Sequence, residues 1–257
     1  MDEYKEKLTA YYNKFSEEKR LGRRHGQVEF RVTLHYLARY LRDGMRILDV
    51  GAGTGRYALW LKEQGYDVTA VELTRPNIAM MKKKDAGLKV IEADARDLRM
   101  LKDESFDLVL LLGPLYHLHQ KEDKLLALRE AKRVTKKGGY ILAAYIMNEY
   151  ALTWFAFKEN NYQQIKDKLD GNFHILPEGN ELYSYVRLEE IAELNTLAGL
   201  KREKIFAPDG AADYMRPALN AMCEETFEAF VAYQTAMAER PELLGASSHI
   251  VDILRKD

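Results

Sequence analysis

The sequence predicts a doubly wound α/β domain, and three observations predict it. Residues 47–55 read Ile-Leu-Asp-Val-Gly-Ala-Gly-Thr-Gly, an apolar strand closed by Asp49 that runs into a turn holding Gly51, Gly53 and Gly55. Arg56 then opens a helical pattern with Tyr57, Leu59, Trp60 and Leu61 on its apolar side. Glycines let a backbone bend tightly and approach a ligand that a Cβ would push away. Open parallel sheets hold nucleotide-like cofactors at such strand–turn–helix units. Second, further strand patterns follow in order at Asp67–Glu72, Leu88–Glu92, Phe106–Leu112 and Gly139–Ile146. Third, Lys121–Val134 is an amphipathic helix pattern, with Leu125, Leu128 and Ala131 at helical spacing, lying between two of those strands.

Each element carries its own justification. Asp-Val-Thr-Ala-Val-Glu alternates and ends on Glu72, with Leu73 next. A carboxylate at that strand end can accept two hydroxyls of one ribose, a geometry no neutral side chain matches. The third strand leads into Ala93-Asp94-Ala95. The fourth, Phe-Asp-Leu-Val-Leu-Leu-Leu, is a continuous apolar run expected of a central strand buried on both faces. The fifth follows a turn at Lys136-Lys137-Gly138-Gly139. Leu200–Ala207 is a sixth strand and His249–Lys256 a seventh. Two helices, Glu3–Lys19 and Gln27–Leu41, precede the first strand. The segment 148–187 is rich in aromatics, and 208–246 is mostly helical, with Phe227, Phe230 and Tyr233 placed on one face.

With 257 residues, a single elaborated domain is expected: a helical cap at 1–43, a core at 44–147, an insertion at 148–187, and a C-terminal part at 188–257. The net charge of −1 argues against a nucleic-acid surface, which carries a basic excess. Cys223 is the only cysteine, so neither an intrachain disulfide nor a multi-cysteine zinc site is available. The charged amino terminus lacks a signal-peptide core, and no run of about eighteen apolar residues occurs. A cytoplasmic protein without membrane contact is expected; oligomeric state is left open.

The spacing of the glycine turn separates two cofactor classes. A dinucleotide fingerprint, G-x-G-x-x-G, would need a third glycine at position 56, where Arg56 stands. G-x-G-x-G after an acidic strand end instead resembles motif I of the class I S-adenosylmethionine (SAM)-dependent methyltransferases, in detail over about residues 45–146 and in outline over 188–257. The resemblance implies a Rossmann-like seven-stranded sheet with an antiparallel last strand. It implies SAM as cofactor, S-adenosylhomocysteine as product, and a small-molecule methyl acceptor. By the same resemblance Asp49, Gly51, Ala52, Gly53 and Gly55 hold the methionine end, Glu72 and Leu73 the ribose, and Asp94 and Ala95 the adenine. Leu112 and Tyr116 line the wall near the sulfonium, and Tyr12 resembles a cofactor-covering tyrosine. A tRNA or protein acceptor, or a non-catalytic SAM-binding protein, are the alternatives.

An antiparallel last strand has a geometric consequence. The sixth strand ends on the ligand-binding edge and the seventh must begin there, so 208–246 arches over the pocket as a lid. His249 then enters the sheet beside the pocket and is a candidate proton acceptor. His117 is the second, in Gly113-Pro114-Leu115-Tyr116-His117, where Gly113 and Pro114 turn the chain out of the sheet. Gly113 stands where DNA adenine methyltransferases carry an Asn or Asp to grip a base amino group, so that activity is disfavoured. The mostly acidic lid suits amines over nucleic acid, and no convincing set of metal ligands is evident.

Overall fold

The computed structural model describes residues 22–176 and 182–257. After helix α1 (Arg24–Leu37) come β1 (Arg46–Val50), α2 (Arg56–Glu63), β2 (Asp67–Glu72), α3 (Arg75–Lys84), β3 (Lys89–Glu92) and β4 (Phe106–Leu111). Then follow α4 (Lys121–Val134), β5 (Thr135–Met147), β6 (Tyr185–Val186), α5 (Leu188–Ala198) and β7 (Lys201–Phe206). The chain closes with α6 (Arg216–Ala221), α7 (Glu224–Met237) and β8 (His249–Arg255). The sheet order is β3-β2-β1-β4-β5-β8-β7, with the two-residue β6 added beside the end of β5. β1 to β5 pair in parallel, and β8 runs antiparallel to both β5 and β7. The expected sheet is present, enlarged by β6, which the aromatic segment hid.

The continuous apolar run of β4 follows from its place at the centre. Successive side chains leave a strand on opposite faces. Leu108 and Leu110 therefore join Ile47, Ala70, Leu142 and Ile253 in the core under α1, while Val109 and Leu111 join Leu48, Val71, Ile141 and Ala143 under α4. β5 begins earlier than expected, because the chain stays paired through the predicted turn. Gly138 takes a φ of 73°, and the β4–β5 register slips between Phe106↔Thr135 and Leu108↔Tyr140. A bulge absorbs what the sequence presents as a turn.

Two C-terminal features anchor the far edge. Asp252 of β8 is fully buried and receives the Arg202 guanidinium at 2.7 and 2.9 Å and the Asn195 amide at 2.6 Å. Helix α7 buries Phe227, Val231 and Gln234, whereas Tyr233 is exposed. At 100° per residue, Tyr233 is turned about 120° from Phe227, so the two do not share a face. Phe227 packs toward α1, where Arg24 and Arg31 lie over its ring and reach Glu224 and Glu228 at 2.8 and 2.6 Å. Among the described residues no helix is long and apolar enough to cross a membrane.

Candidate active site

A cavity opens at the carboxyl ends of β1, β2, β3 and β4, where residues leaving the strands converge. Asp49, Gly51, Ala52, Gly53, Glu72, Leu73, Asp94, Ala95, Leu112, Tyr116 and His117 all line it. Sequence positions up to 89 residues apart, from Glu29 to Leu118, thus share one wall. Gly55 and His249 are not part of that wall, and Tyr12 lies outside the described residues.

The glycine turn is a backbone device. Gly51, Gly53 and Gly55 have φ of 71°, 56° and 86°, the left-handed region that side chains resist. The N–H groups of Gly51 and Ala52 both donate to Val71 O, at 2.8 and 3.0 Å, which fixes the turn against β2. A Cβ on Gly51 would stand 2.6 Å from the Pro114 ring, so this glycine lets the segment after β4 close in. Gly55 serves the scaffold: it caps α2, and a Cβ there would meet Met81 Cγ of α3 at 2.7 Å.

Glu72 faces the turn. Its Oε2 accepts Gly53 N–H at 2.9 Å, and its Oε1 accepts the Thr74 N–H and hydroxyl at 2.8 and 2.7 Å. Burial holds its carboxyl above the ordinary value, opposed by those hydrogen bonds. With one donor on it among the described residues, Oε2 retains acceptor capacity toward the cavity. Asp49 is more extreme. Burial pushes its carboxyl up to about 7 despite a bond from the Ala58 N–H. Its Oδ2 is buried with no hydrogen-bond partner among the described residues. Such an orphaned atom needs an explanation, and a ligand is one. Asp94 is held differently: the Arg96 guanidinium grips both carboxylate oxygens at 3.0 and 2.7 Å and the Arg96 N–H adds a third bond.

Two histidines flank Tyr116, whose ring centroid is 4.9 Å from His117 and 5.8 Å from His249. His117 is buried, stacks on Tyr183, and through Nδ1 donates to Leu182 O at 2.9 Å. Its ring pins the segment after β4 to the chain that enters β6. The ring of His249 meets a carboxylate instead: Nδ1 donates to Asp209 Oδ2 at 2.7 Å. Asp209 Oδ1 accepts the Ser247 hydroxyl at 2.6 Å and the His249 N–H at 3.0 Å. Sequence reasoning missed Asp209, although it lies just beyond the carboxyl end of β7, where strand-end carboxylates deserve suspicion. It also missed Glu29 and Phe30 of α1, which line the cavity. Their contribution depends on how α1 docks, and no local pattern encodes that.

Residues 48–143 match the family described as "Methyltransferase domain". Over this stretch, well under half of the chain, the protein is similar to a methyltransferase domain. The chain is 39% identical over 100 residues to the cypemycin N-terminal methyltransferase of Streptomyces sp, covering 38% of this chain and 40% of that protein. It is 32% identical over 102 residues to the glycine/sarcosine N-methyltransferase of Aphanothece halophytica, covering 38% of each. The matches thus span about two-fifths of those relatives' length. A SAM-dependent methyltransferase of Thermotoga maritima superposes with a TM-score of 0.62 at 23% identity, covering 97% of this chain and 100% of that one. That likeness shows the shared fold.

The residues present fit SAM. Its methionine end carries an ammonium, which suits the orphaned Asp49 oxygen, and its ribose diol suits the remaining capacity of Glu72 Oε2.

Proposed function

We propose that this protein transfers a methyl group from SAM to a nitrogen, oxygen or sulfur of a small-molecule acceptor. The observation that carries it is the buried Oδ2 of Asp49, which has no hydrogen-bond partner among the described residues, beside a left-handed glycine turn, with Glu72 opposite. In this proposal the turn residues 51–53 and Asp49 take the methionine end, Glu72 and Leu73 the ribose, Asp94 and Ala95 the adenine. Leu112 and Tyr116 flank the sulfonium, and residues 208–246 roof the acceptor side. SAM supplies a methyl group already activated on sulfur. The protein's share is alignment of acceptor and methyl carbon, worth about 7–11 kcal/mol when the atoms are held in line.

Of the two histidines, His249 is the one arranged for proton work. A carboxylate on Nδ1 fixes the tautomer and steadies the imidazolium that forms when Nε2 takes a proton. His117, held by Leu182 O, positions Tyr116. The small-molecule assignment draws support from the cited relatives, and from the net charge of −1, without the basic excess of a nucleic-acid surface. A cytoplasmic location accords with this chemistry.

Calorimetric titration with SAM, S-adenosylhomocysteine and NAD, on wild type and Glu72→Ala, tests the proposal. Micromolar binding of the first two, weakened at least 100-fold in the variant, with no NAD binding, is expected. Binding of NAD alone would overturn it.

A further inference from the structure

The two oxygens of Glu72 are not gripped alike. Oε1 accepts the Thr74 N–H at 2.8 Å, the Thr74 hydroxyl at 2.7 Å and the Asn77 amide at 3.4 Å. Among the described residues Oε2 accepts the Gly53 N–H alone, at 2.9 Å. A carboxylate oxygen offers two lone pairs, so Oε1 is full and Oε2 has room for one more donor. A ribose diol brings two hydroxyls. The bidentate grip that a strand-end carboxylate could offer is thus closed off, and one hydroxyl needs another acceptor.

Thr74 and Asn77 build this asymmetry in. Thr74 is the N-cap of α3 and Asn77 stands three residues on, the two places that a capping box links to each other. Here the Thr74 hydroxyl makes no cap hydrogen bond, and both buried side chains turn back to Glu72. Local helix chemistry gives way at this point, as it does where function constrains a chain. Asn77 also lines the cavity. Its nitrogen must be the atom on Glu72, because an amide oxygen there would face a carboxylate. Its Oδ1 takes no hydrogen bond among the described residues, yet it is not shut off as Asp49 Oδ2 is, so it opens on the cavity. Two nearby carboxylates are committed elsewhere: Asp94 holds Arg96 through both oxygens, and Asp49 Oδ2 suits the ammonium.

We propose that Glu72 and Asn77 divide the cofactor ribose: Glu72 Oε2 accepts one hydroxyl and Asn77 Oδ1 the other, while Thr74 is the positioning residue that holds Glu72 in this orientation. The inference rests on the methyl-transfer reading above and deepens its cofactor site. The bond to Glu72 is charge-assisted and the stronger, so a ligand without that hydroxyl loses about 10–100-fold in affinity. A ligand without the hydroxyl on neutral Asn77 loses about 3–10-fold. Thr74 acts only through Glu72 and so bears on one hydroxyl. Asn77 bears on the other, because without it the two Thr74 bonds still fill Oε1 and keep Glu72 in place.

Calorimetry on the full chain with S-adenosylhomocysteine and its 2′-deoxy and 3′-deoxy analogues tests this. Wild type is expected to bind both analogues more weakly than the parent, one of them by about tenfold or more and the other by about threefold or more. Asn77→Ala is expected to weaken S-adenosylhomocysteine about fivefold, yet to bind one deoxy analogue within about twofold of wild type. Thr74→Val is expected to weaken the parent about fivefold and to spare the other analogue, and Thr74→Ser to restore wild-type binding. The spared analogue doubles as the check that each variant is folded, and the wild-type comparison needs no variant. Wild-type indifference to either hydroxyl overturns the assignment. So does a result in which both variants spare the same analogue, or in which either variant treats all three ligands alike. Failure of Thr74→Ser to restore binding removes Thr74 from its role. Failure of the underlying reading looks different: wild type then binds neither SAM nor S-adenosylhomocysteine.

Discussion

Replacing Asp49 by asparagine should make the protein more stable at alkaline pH while weakening its grip on SAM. Burial raises this carboxyl from the ordinary 3.8 to about 7. The folded state therefore keeps a proton that the unfolded chain has already released between about pH 4 and pH 7. Stability from this group is complete below the unfolded value and is lost as pH climbs through the folded one. Each pH unit is worth about 1.4 kcal/mol, so the full span caps the effect at about 4 kcal/mol. Asparagine keeps a carbonyl for the Ala58 N–H but puts an amide N–H₂ where Oδ2 has no partner, at a cost of about 1–3 kcal/mol. The net gain expected at pH 8 is about 1–3 kcal/mol. At pH 5 wild-type Asp49 is already protonated, so the gain should vanish. Urea unfolding of both proteins at pH 5 and pH 8 reads this directly, and calorimetry at pH 8 should show SAM bound at least tenfold more weakly by the variant. If the variant's stability advantage at pH 8 does not exceed that at pH 5, the assignment of a buried, ligand-awaiting carboxylate is wrong.

Two further substitutions probe the scaffold around the site. Gly51→Ala places a Cβ 2.6 Å from the Pro114 ring at a φ of 71°, and should cost about 2–4 kcal/mol by thermal melting, with weaker SAM binding because the segment carrying Tyr116 must retreat. Arg202→Met strips the guanidinium from fully buried Asp252 and should cost about 3 kcal/mol at pH 8. Burial already holds the Asp252 carboxyl above its ordinary value. With the guanidinium gone it protonates more readily still, so the loss in chemical denaturation should shrink at pH 5.

The sheet was legible because its signals are local. β4 and α4 fall close to the residues that the apolar run and the helical spacing mark, since a strand buried on both faces writes a continuous apolar run and a helix buried on one face writes its period into the chain. The Gly138 bulge misled because glycine with φ above zero serves turns and bulges alike, and only the partner strand decides between them. Helix α1 ends at Leu37 rather than Leu41, and β6 went unseen because two residues carry no period.

By itself, the sequence determined the doubly wound sheet, the left-handed glycine turn and the carboxylates at the strand ends, because backbone sterics and strand periodicity act between near neighbours. Only the tertiary structure decided that Asp49 keeps an oxygen without a partner among the described residues, that Asp94 is gripped by Arg96, and that Glu29, Asp209 and His249 share one place. The last of these depends on how α1, the end of β7 and the antiparallel β8 converge: Glu29 stands 180 or more positions from Asp209 and His249, and contacts so distant in sequence are set by packing of the whole sheet, which no short stretch of chain records.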